Sequence, residues 1–64
     1  MSEIESLHEQ IEKTKVVLAE SRENFEKNPE NSSARLLLMS IENHLADLLK
    51  QLETEESRYR ESND

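Results

Sequence analysis

The stretch NPENSSARLLLM, residues 28–39, holds the chain's only proline and then four consecutive apolar residues. Proline disfavours helical geometry at the residue before it and removes an N–H that a continuing helix would use. On either side of this break the sequence reads as helix. Ile4, Leu7, Ile11, Leu18 and Phe25 repeat every three or four residues or a whole heptad apart. In heptad notation Ile4, Ile11, Leu18 and Phe25 take position a, and Leu7, Thr14 and Ser21 take position d. Beyond the proline, Leu38, Leu45, Leu52 and Tyr59 take a, while Ala34, Ile41, Leu48 and Glu55 take d. This spacing of about 3.5 residues is the mark of a coiled-coil seam, and neither segment alternates as a strand does.

Two matched helical segments joined by a short link are expected to pack antiparallel. Placing a opposite d, with paired residue numbers summing to 59, centres the turn between Pro29 and Glu30. The layers are then Phe25–Ala34, Ser21–Leu38, Leu18–Ile41, Thr14–Leu45, Ile11–Leu48 and Leu7–Leu52. Large faces small in the first two. The expected fold class is therefore all-α: a coiled-coil-like antiparallel two-helix hairpin spanning residues 1–64 as a single unit. Its helices are expected at about 2–27 and 31–60, with a turn at about 28–31 and a frayed end at 61–64.

Local signals agree. SEIE, residues 2–5, is a capping box in which Ser2 accepts from the Glu5 N–H and Glu5 reaches back to Ser2. Asn28 or Asn31 is suited to cap the second helix. Glu9–Lys13, Glu23–Lys27 and Glu56–Arg60 are i,i+4 pairs in the favourable order. Tyr59, on an a position, is expected in the core. NPEN ahead of a helix resembles the inter-repeat turn of tetratricopeptide repeats, a family of peptide-binding modules. The likeness covers those four residues, and the Trp, Gly and Tyr positions of that repeat are not met, so no family is assigned.

Composition narrows the function. The 64 residues contain no cysteine and no glycine. Disulfides and thiolate metal sites are excluded, as are glycine-built phosphate loops. His8 and Glu12 share a helix face, but zinc takes three or four ligands. No metal, cofactor or catalytic constellation is expected, and the chain does not read as an enzyme. The net charge of −7 disfavours nucleic acid and anionic membrane as partners. The longest apolar run is four residues, and the N-terminus lacks the apolar region of a signal peptide; a cytoplasmic location is expected.

A chain this small buries little surface on folding and usually needs a supplement. Without disulfide or metal, that supplement is self-association. The seam uses Ile4, Leu7, Ile11, Leu18, Phe25, Leu38, Ile41, Leu45, Leu48 and Leu52. Left over are Val17 and Leu37 at g, Leu49 at e, Val16 and Leu36 at f, and Met39 at b. These six are the candidate interaction residues. Two hairpins joined as a homodimeric four-helix bundle are expected to bury Val17, Leu37 and Leu49, leaving Leu36 and Met39 to thicken the turn end or meet another partner.

The expected function is thus a non-catalytic protein–protein interaction or oligomerisation module, a small acidic adaptor or regulator. An alternative rests on charge. Residues 1–10 and 53–64 hold eight acids and two bases, against seven acids and six bases in residues 11–52. That acidic open end suits a basic protein partner, as in an antitoxin-like or nucleic-acid-mimicking inhibitor. A third possibility is a segment that folds only on a partner.

Overall fold

In the computed structural model, which describes residues 2–63, two helices pack against each other as a hairpin. Helix α1 runs Glu3–Lys27 and α2 runs Ser32–Asn63. Together they form a rod 52 Å long, 16 Å across and 12 Å thick. Met1 and Asp64, the latter counted in the acidic end, lie outside the described residues.

Each helix begins on a side-chain cap. Ser2 is extended, at φ −80° and ψ 157°, and its hydroxyl accepts from the Glu5 N–H at 3.2 Å. Asn31 caps α2: its Oδ1 accepts from the N–H of Ser33 at 3.0 Å and of Ala34 at 3.3 Å. Asn28 instead closes α1, its N–H donating to the carbonyls of Asn24 and Phe25, both at 3.1 Å. The carbonyl of Asn28 then accepts from the Asn31 N–H at 3.0 Å. This makes residues 28–31 a four-residue turn with Pro29 second, where its fixed φ fits best. Among the described residues none has a positive φ, so the reversal is made without glycine.

The heptad frame matches the burial pattern. Seven a and d residues on each helix, from Ile4 to Phe25 and from Ala34 to Glu55, are buried or half-buried. Outside that frame only Ser6 among the described residues is not exposed. Leu7, Ile11 and Leu48 form the centre, with Leu45 and Leu52 packed against them, as the layers Ile11–Leu48 and Leu7–Leu52 require. Thr14 enters the seam with its hydroxyl donating to the Gln10 carbonyl at 2.7 Å, which satisfies the group within its own helix.

Four details differ from expectation. The capping box is half made: Ser2 accepts from the Glu5 N–H, and among the described residues no hydrogen bond returns from the Ser2 N–H to the Glu5 carboxylate. Helix α2 continues through residues 61–63 instead of ending near residue 60. Tyr59 is 65% exposed and not in the core. In the register of the hairpin its opposite number falls before Glu3, so this part of α2 runs past the start of α1 and beyond the seam. Near the same end, Arg58 pairs with Glu55 at 3.2 Å, and among the described residues no ion pair joins Glu56 to Arg60. Glu55 is the more demanding carboxylate: it sits half-buried on a seam position, and a partly desolvated charge needs a partner. The other two expected pairs form, Lys13–Glu9 and Lys27–Glu23, both at 3.2 Å.

Candidate interaction surface

The six candidate interaction residues are all exposed: Val16, Val17, Leu36, Leu37, Met39 and Leu49 range from 46% to 66%. They do not form one patch. Around a heptad helix, position a is followed on one side by e and then b, and position d on the other side by g and then c. In an antiparallel pair the like-lettered edges of both helices fall on the same side. The hairpin therefore has two broad flanks. One carries a, e and b; the other carries d, g and c. Leu49 and Met39 lie on the first, Val17 and Leu37 on the second. Val16 and Leu36, at f, point away from the seam on the backs of their helices.

Groove linings agree with this division. A groove on the second flank is lined by Lys13, Thr14, Val17, Ile41 and His44, all c, d or g residues. Another, nearer the open end, includes Glu3, Asp47, Gln51 and Glu55, again c, d or g, together with Lys50.

The flanks differ in how far they are closed. On the d side Leu7, Ser21, Ala34 and Leu48 are buried and Thr14, Ile41 and Glu55 are half-buried. On the a side only Ile11 is buried, while Ile4, Leu18, Phe25, Leu38, Leu45 and Leu52 are half-buried. The cause is size. Every a residue from Ile4 to Leu52 is large and apolar, whereas d includes Thr14, Ser21 and Ala34. Small d residues let the helices close on that side and leave the edges of the large a residues showing on the other.

The g and e positions that edge the seam differ in charge as well. Between Glu3 and Arg58, the g residues Gln10, Val17, Asn24, Leu37, His44 and Gln51 carry no formal charge. The e residues Lys15, Arg22, Arg35, Glu42 and Glu56 do. At the open end Glu3, Glu5, Glu9, Glu53, Glu56 and Glu61 are all exposed.

No family model, curated protein or solved structure matches this chain. Its surface has to be understood from its own chemistry. Among the described residues no group of three or more His, Asp or Glu is placed to hold a metal ion. No described helix is long and apolar enough to cross a membrane. Two features go beyond the sequence-based expectations. One is the Glu55–Arg58 pair, signalled by an acid on a seam position with an arginine three residues on. The other is the separation of Leu49 and Met39 from Val17 and Leu37, which follows from the heptad letters once e and g are assigned to opposite sides.

Proposed function

We propose that this chain is a non-catalytic protein–protein interaction and oligomerisation module that self-associates as a homodimer, two hairpins forming a four-helix bundle. The observation that carries this reading is an unfinished core. Among the described residues only Leu7, Ile11, Ala34 and Leu48 are buried apolar residues, and no side chain is fully enclosed. Six large seam residues stay half-buried on the a side, and Leu49 and Met39 beside them are 47% and 48% exposed. Ordering a chain costs on the order of 1.5 kcal/mol per residue, and a single seam this open offsets that poorly. A second hairpin supplies the missing half of the core without cysteine or metal.

Sedimentation equilibrium on the full chain between one and several hundred micromolar tests the proposal. The expected result is a reversible monomer–dimer equilibrium, with helicity by circular dichroism rising alongside the dimer fraction. A fully helical monomer across that range counts decisively against it.

A further inference from the structure

We infer that the hairpins join through the flank carrying a, e and b, with the turn of one lying beside the open end of the other. This rests on the self-association proposed above and specifies its face and its polarity.

The face follows from where the core is open. The half-buried edges of Leu18, Leu38, Leu45 and Leu52 form an apolar ridge along that flank, widened by Leu49 and Met39. Ala19 and Ala46 occupy b positions near the middle of the rod, where small side chains permit close approach of a second helix pair. The flank is the broad side of a rod measuring 52 by 16 Å. Its projection of roughly 800 Å² matches the area that each partner contributes to a standard stable interface.

The polarity follows from charge. Along this flank the open half carries the acids Glu5, Glu12, Glu53 and Glu56 against the single base Arg60. The turn half carries Arg22 and Arg35 against the single acid Glu26, and Lys15 and Glu42 offset each other near the middle. A two-fold axis across the middle of the rod sets Arg35 of one copy beside Glu5 and Glu53 of the other, and Arg22 between the levels of Glu5 and Glu12. Each contact then occurs twice, as an isologous interface requires. The same axis brings Met39 to the level of the second copy's Leu49. With the turns side by side, by contrast, arginine would face arginine and the acidic ends would coincide within a Debye length of about 8 Å.

The test uses exposed residues whose replacement leaves the hairpin seam intact. Met39→Glu with Leu49→Glu is expected to raise the dimer dissociation constant at least 100-fold by sedimentation. Val17→Glu with Leu37→Glu, on the other flank, is expected to change it less than threefold. The reverse pattern, in a chain that still dimerises, overturns the face but leaves self-association standing. A wild-type chain that stays monomeric overturns both. Polarity is read without altering the interface. The chain has no native cysteine, so Glu30→Cys in the turn takes a single spin label per copy. At a rise of about 1.5 Å per residue, the turns of the inferred dimer lie about 40 Å apart. A dipolar distance near that value supports the arrangement, and one below about 20 Å places the turns side by side and overturns it.

Discussion

The two flanks of this hairpin use the same helices and the same register, yet they end in different states. On the d side Ser21 and Ala34 let the two helices close, and Leu7 and Leu48 are buried between them. On the a side the uniformly large residues hold the surface open. The difference teaches that hydrophobic periodicity sets which residues meet, while side-chain volume at a and d sets which face is finished. A coiled-coil seam in which one letter is always large and the other often small is lopsided. Its larger-residue side is where a second surface gains most by docking.

Substitutions at matched positions can break or sharpen this contrast. The largest effect is expected in the seam itself. Leu48→Ala on the closed side should cost about 2–5 kcal/mol in chemical denaturation at any protein concentration. Leu18→Ala on the open side should cost less than half as much in dilute solution, and approach the Leu48→Ala value where the dimer is populated. Equal costs at all concentrations would remove the distinction between the flanks.

Next in size is Ser21→Leu, which puts a second large residue into the layer with Leu38 on the side already closed. Overpacking there should destabilise by about 1–3 kcal/mol by thermal unfolding. A stabilised variant would mean that the d side has room that its burial denies.

Smaller effects are expected among charges. Arg35→Glu should weaken dimerisation by about 0.5–1 kcal/mol at low salt, the scale of an exposed ion pair, and the loss should shrink in 1 M salt. Adding Glu53→Lys to the same chain should restore affinity, because the reversed pair forms at both ends of the interface. The smallest change is expected for Leu36→Asp on the back of α2. Stability should shift by no more than about 0.5 kcal/mol, with dimerisation unaltered, since that side chain reaches neither flank.

Much of the fold is legible in the sequence because coiled-coil spacing and a lone proline are local signals. The a and d letters that follow from spacing alone match the buried and half-buried residues from Ile4 to Glu55, and the turn falls at Pro29. What escapes a sequence reading depends on how the two segments are offset. Tyr59 has the right letter for the core, but its layer lies beyond the start of α1, because α2 is 32 residues long and α1 is 25. Asn28 and Asn31 are chemically alike, and only the turn geometry distinguishes the residue that closes α1 from the one that opens α2. The candidate surface is legible only as a set of residues. Grouping Leu49 with Val17 and Leu37 overlooks the fact that an antiparallel pair sends e and g to opposite sides.

The overhang of α2 has a consequence for how the molecule comes apart. Residues 57–63 extend about 10 Å past the start of α1, at the helical rise of about 1.5 Å per residue. A stretch that short is not a stable helix in isolation, since helices below about 12–15 residues are marginal in water. Its amide protons should therefore exchange with solvent first, with protection growing residue by residue toward Leu48. At the other end the turn is held by Pro29 and two asparagine caps. The hairpin is a clasp with one riveted end, and it unzips from the other.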